Sequence, residues 1–128
     1  MPDQQPPPPS AGAIPDTFLA VLRHQWVPSM PAPLRRCRFL AVLYAAHRLA
    51  DAAGTLCDRR GRPVPTADVA YASATSEPTA ALYLAAAVAA GVLTERHPGL
   101  LVLSPAAVPD WHAAAAVVNH LTLTGSTV

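Results

Sequence analysis

Apolar residues recur at three- and four-residue intervals over most of this chain, and proline or glycine interrupts them at each change of element. In residues 17–27, Phe18, Leu22 and Trp26 fall on every fourth position, one face of a helix that Asp16 can cap. Pro28, Pro31 and Pro33 end that segment. Residues 34–53 form the longest predicted helix, with Leu40, Leu43, Ala46, His47 and Ala50 spaced for one buried stripe and Gly54 closing it. Residues 55–65 read as a loop or short strand bounded by Pro63 and Pro65. Thr66 then caps a short helix over 67–73.

The next stretch, SEPTAALYLAAAVAAGVL, has a serine at its head, a glycine near its tail and almost nothing polar between them. Ser76 is placed to cap it, Pro78 is tolerated in its first turn and Gly91 ends it. After Gly91 the pattern changes: residues 92–96, His97-Pro98-Gly99 and residues 100–104 read as strand, tight turn, strand. A last helix is predicted from Asp110 to about Leu121, with Trp111, Ala115, Val118 and Leu121 on one stripe. The tail 122–128 is expected to be frayed, and residues 1–15, with six prolines, to form an extended arm.

Composition narrows the class. A length of 128 residues suits one domain, here 16–121, and 52% hydrophobic but only 5% aromatic residues imply a core of Ala, Val and Leu in closely packed helices. The longest apolar run, residues 80–93, is short of the roughly 20 residues that span a bilayer, so a buried helix is expected and no membrane association. The leading MPDQQPPPPS has neither the positive charge nor the apolar stretch of a secretory signal, which implies a cytoplasmic protein with Cys37 and Cys57 as reduced thiols.

Net charge is +1, too small for global attraction to nucleic acid, but its distribution is uneven. Seven arginines (35, 36, 38, 48, 59, 60 and 62) stand against Asp51 and Asp58. Every basic residue is arginine, which together with abundant Ala and Pro reads first as the codon usage of a GC-rich bacterium.

Catalysis finds no support. There is no Gly-rich phosphate loop, no Cys-x-x-Cys and no His-Glu-x-x-His. Cys37, His47 and Cys57 are spaced too widely for a recognisable zinc set, and His112 with His120 lacks a third ligand. No enzyme activity, metal or cofactor is expected.

The order long helix, basic loop, short helix, turn, second helix, hairpin resembles a winged helix-turn-helix domain, as found in bacterial transcription regulators and plasmid replication initiators. The resemblance covers about residues 34–104. Asp68-Val69-Ala70 is similar to the opening of the family's first motif helix, Ser76 and Thr79 to the head of its second, Leu84 and Val88 to its inward anchors, and Gly91-Val92-Leu93 to the exit into the wing. The implied fold is mainly α with a small β-hairpin wing and extra N- and C-terminal helices.

By that resemblance the function is DNA-associated regulation on double-stranded DNA, with Ser76, Thr79 and Tyr83 on the recognition helix and Arg59, Arg60, Arg62, Arg96 and His97 as flanking contacts. Two departures stand out. Ala74 occupies a turn position where the family often has glycine, and the outer face would carry Glu77, Pro78, Ala81, Leu82, Ala85, Ala86 and Ala89, leaving only Thr79 and Tyr83 to hydrogen-bond. The alternative is a winged-helix module that has lost DNA and binds protein through Leu82 and Tyr83. Trp26 and Trp111, one on each outer helix, are expected near the core of a homodimer interface; the competing expectation is that both pack within their own domain.

Overall fold

The structure, a computed structural model, describes residues 13–126. The predicted arm at 1–15 lies outside it except for Ala13, Ile14 and Pro15, which open the first helix. The described residues are mainly helical, with one two-stranded antiparallel sheet after the sixth helix.

Helix α1 (Ala13–Val21) runs through a π-helical segment, Leu22–Trp26, into α2 (Val27–Ser29). Asp16 lies within its first turn rather than capping it, and Pro28 sits inside the last turn instead of stopping it. The π segment has a packing logic. Phe18, Leu22, Trp26 and Met30 are all buried at four-residue spacing, which drifts off one face of a 3.6-residue helix, and a wider turn offsets the drift.

The long helix predicted over 34–53 is two helices, α3 (Ala32–Arg36) and α4 (Phe39–Leu49). Cys37 between them is extended, at φ −95° and ψ −177°. Arg38, at the break, donates from its guanidinium to the Ser73 carbonyl, so a tertiary contact holds the interruption. The buried face of α4 is Phe39, Val42, Leu43, Ala45 and Ala46, while Leu40, His47 and Ala50 are only half-buried. Ala50 is extended, so α4 stops before Gly54. Gly54 instead serves the following turn at φ +85°, where a Cβ would come within 2.3 Å of Ile14 Cγ2.

Helix α5 (Thr66–Ser73) begins one residue earlier than predicted; Pro65 holds the N-cap position and Thr66 is already helical, without a side-chain cap. Helix α6 (Glu77–Ala90) has the predicted limits. Ser76 Oγ accepts from the Thr79 N–H at 3.2 Å, and Gly91 caps the far end at φ +87°. Between α5 and α6, Ala74 adopts φ +56° and ψ 45°, the left-handed conformation usually given to glycine.

Strands β1 (Leu93–His97) and β2 (Leu100–Leu103) pair with Leu93 opposite Leu103, and the register slips between Glu95 and His97. Helix α7 (Trp111–Ser126) packs along α6 and continues beyond Leu121, the predicted end. Asp110 Oδ1 accepts from the Ala113 N–H at its start. Residues 127 and 128 of the expected frayed tail lie outside the described residues.

The centre holds a chain of edge-to-face aromatic contacts, Phe18 to Trp26 to Trp111 to Phe39 to Tyr83, with ring centroids 5.2–6.3 Å apart. The few aromatics are concentrated where four helices meet, and small alanines fill the remaining helix contacts.

Candidate functional site

The basic loop is built by two aspartates. Asp51 Oδ1 accepts from the N–H groups of Ala53 and Thr55, both at 2.9 Å, and Asp51 Oδ2 accepts from the Cys57 thiol at 3.3 Å. The Thr55 N–H bond is the main reason the Asp51 carboxyl lies below its usual range. Desolvation and the Asp51 carboxylate push the Cys57 thiol up, the reverse of what an activated nucleophile needs.

This turn delivers Thr55 to a bridge with Val102, and the Leu56 N–H donates to the Leu101 carbonyl at 2.8 Å. The chain then makes a tight turn and returns, the Val64 N–H donating to the Leu56 carbonyl. Within the turn, Asp58 Oδ1 accepts from the Arg60 and Arg62 N–H groups and Oδ2 from Arg62 Nε at 3.2 Å. The Arg62 N–H above all lowers the Asp58 carboxyl.

Because residue 55 pairs antiparallel with 102, the chain leaving Thr55 runs toward the β1–β2 turn. The turn at 58–62 and the hairpin tip at 97–99 therefore lie at the same end of the sheet. At the hairpin tip, Glu95 Oε2 accepts the Gly99 N–H at 2.9 Å, and Arg96 sits at the register slip. Arg59, Arg60, Arg62, Arg96 and His97 are all exposed there. Among the described residues Arg62 is the one paired with a carboxylate; Arg59, Arg60 and Arg96 make no ion pair. The earlier cluster is different: Arg35 Nε donates to the Met30 carbonyl at 3.0 Å and Arg38 to Ser73, so both hold the fold.

Helix α6 departs from its expected chemistry. Tyr83, placed by the sequence on the outer face, is 9% exposed and turned toward Phe39, so it can neither reach a DNA base nor dock a partner. Burial is the leading cause that pushes its hydroxyl pKa up to about 12, with Cys37 next. Ala86 is also buried. Ser76 is exposed, but its hydroxyl donates to Thr79 Oγ1 at 2.8 Å, and Thr79 is half-buried, so both side chains serve the cap. The outward surface is Glu77, Pro78, Ala81, Ala85 and Ala89 with a half-buried Leu82.

Between this helix and the sheet lies a groove of about 360 Å³. Its helix wall is Ala81, Leu84, Ala85 and Val88, its floor includes Val69, and its sheet wall carries Leu56, Val64 and Leu101. Glu95 and Gly99 close one side. The sequence reading missed Leu56, Val64 and Leu101. Their only signal was apolar character in a segment read as loop or strand, and nothing in it said that they face α6.

Trp26 and Trp111 are 2% and 8% exposed within the single chain and lie edge to face at 6.3 Å. A homodimer interface with these indoles at its core has no exposed ring to use; they pack inside their own domain, Trp26 against Phe18 and Trp111, and Trp111 against Phe39 at the start of α4.

No three His, Cys, Asp or Glu among the described residues come together to hold a metal ion, and no described helix is long and apolar enough to cross a membrane. Comparison of the chain with protein-family models, curated proteins and solved structures found no match.

Proposed function

We propose that this chain is a DNA-associated regulatory protein of winged helix-turn-helix type, holding double-stranded DNA through arginine–phosphate contacts rather than base readout. The observation that carries the reading is that two turns lie at one end of the sheet, one with Arg59 and Arg60, which make no ion pair among the described residues, and the other with Arg96 and His97. Two further features support it: the order α4, α5, α6, β1, β2, and the left-handed residue between α5 and α6. Guanidinium groups at a wing tip grip the backbone and position a protein without specifying sequence. With Tyr83 inside and Ser76 and Thr79 engaged with each other, the free polar side chain left on α6 is the Glu77 carboxylate, which a phosphate backbone repels.

Fluorescence anisotropy with two duplexes of unrelated sequence tests this. Similar affinity for both at low salt, falling steeply as salt rises, is the expected result. Absence of binding at low salt overturns it.

The exposed apolar strip of α6 and the groove beside it favour a second reading, a module of the same architecture that has exchanged DNA for a protein partner. Leu82 remains a contact in that reading, whereas Tyr83 drops out of both.

A further inference from the structure

We infer that the groove between α6 and the sheet binds a small apolar amine, its ammonium group on the Glu95 carboxylate and its apolar body against α6. The inference stands on the residues that line the groove, and does not depend on the DNA reading.

The shape comes first. Val69 and Leu56 behind the groove are almost fully buried, and Leu84, Val88 and Leu101 present apolar side chains to it. Its volume of about 360 Å³ is at the small end of ligand pockets, which run from roughly 300 to 1,000 Å³. A compact small molecule fits that space.

Charge then selects the ligand. Of the side chains that line the groove, Thr66 and Glu95 alone carry polar atoms, and Glu95 alone carries charge. Glu95 stands opposite Leu101 in the register of β1 and β2, which puts both on the face of the sheet that looks into the groove. Its Oε2 accepts the Gly99 N–H at 2.9 Å, which fixes the carboxylate beside the groove and leaves Oε1 to accept from a ligand. Among the described residues no cation pairs with it. Arg59, Arg60 and Arg96 are exposed and line no part of the groove, so water and salt screen them from its interior. Where the surface continues past Ala81 toward Pro78, the charge that borders it is again a carboxylate, Glu77. A bound cation therefore meets opposite charge at hydrogen-bond distance, and an anion meets like charge.

The test uses three compounds that share one apolar body and differ at its end, phenylbutylamine, phenylbutanol and phenylbutyrate, titrated into the isotope-labelled full chain and followed by amide chemical shifts. The signals of Val88, Gly99 and Leu101 should move, and the amine should bind about three- to five-fold tighter than the alcohol at low salt, with the butyrate weakest. Added salt should narrow the gap between amine and alcohol. E95Q keeps an oxygen for the Gly99 N–H but loses the charge, so it should bring the amine down to the affinity of the alcohol and leave the alcohol unchanged. A85F, a large ring at an exposed position of the groove wall, should weaken all three. An alcohol that binds as tightly as the amine, an amine preference that survives E95Q, a butyrate that binds tightest, or binding indifferent to A85F overturns the inference. So does the absence of groove shifts with all three compounds, or groove shifts that appear on concentrating the protein alone, which would assign the groove to a second copy of the chain.

Discussion

The Trp111 indole N–H donates to Ser29 Oγ at 3.1 Å, joining the last helix to the end of the first across 82 positions of sequence. Ser29 Oγ in turn donates to the Trp26 carbonyl at 3.0 Å. The two outer helices are thereby fastened to each other and to Phe39, the first residue of α4. Replacing Trp111 by Ala removes a large buried ring at this junction and should destabilise the protein by about 3–5 kcal/mol. W111F, which keeps an aromatic ring but loses the N–H, should cost nearer about 1 kcal/mol from the hydrogen bond, plus a packing penalty. Urea unfolding of both variants checks the order, and W111F as unstable as W111A would show that the ring contacts contribute little.

Ala74 is the residue at which the turn between α5 and α6 departs from ordinary backbone. A left-handed alanine costs about 1–2 kcal/mol, and glycine gives back part of the relief through its freer unfolded chain. A74G should therefore stabilise by roughly 0.5–1 kcal/mol, a rise in Tm of about 2–4 °C. A lower Tm would mean that the exposed methyl group makes a contact worth more than the strain.

Gly54 makes the opposite case. Its φ of +85° and the 2.3 Å approach of Ile14 Cγ2 to a Cβ built there leave no room for a side chain unless α1 shifts. G54A should cost about 2 kcal/mol or more, read by urea unfolding, whereas alanine at Gly61 meets only the backbone cost because nothing lies within 4 Å of its Cβ.

These two positions show how far the sequence could be read. The limits of α6 were legible because Ser76 and Gly91 act through local hydrogen bonds that their own side chain or lack of one decides. The rotation of that helix was not. With Ala, Leu and Val on nearly every side, periodicity gives no phase, and only contact with Phe39 on one flank and α7 on another turns Tyr83 inward. The break at Cys37 was hidden for a similar reason, since Arg38 is held by a carbonyl 35 residues away. The arginines of the basic turn were visible as charges. Their placement at the same end of the sheet as Arg96 depends on the bridge of Thr55 to Val102, a long-range pairing that no local pattern announces.

Alkaline pH should expose the burial of Tyr83. Its hydroxyl is held neutral up to about pH 12 in the fold, against an ordinary value of 10.0 once unfolded. The raised folded value means that this stabilisation is fully present below pH 10 and is lost as pH rises from 10 through 12. Urea midpoints measured across that window should fall for the wild type and fall less for Y83F. Parallel curves would show that Tyr83 is accessible enough to ionise in the folded protein.

Leu82→Arg separates the two surfaces that the functional readings share. Leu82 is half-buried on the outward side of α6, so the substitution should alter stability by no more than about 0.5–1 kcal/mol. If α6 faces DNA, the added guanidinium supplies a phosphate contact, and duplex affinity at low salt should rise with a log–log salt slope steeper by about 0.9. If the helix instead meets a protein helix along Pro78, Ala81, Leu82 and Ala85, a charged side chain in the middle of that apolar strip should weaken the complex at least ten-fold, about 1.4 kcal/mol, while duplex binding stays unchanged. Pairing L82R with R59A/R60A/R96A strengthens the comparison. The triple variant should make the salt slope shallower by about 0.9 for each phosphate that is no longer neutralised, and a slope that does not move would remove the basic turns from the DNA-facing surface.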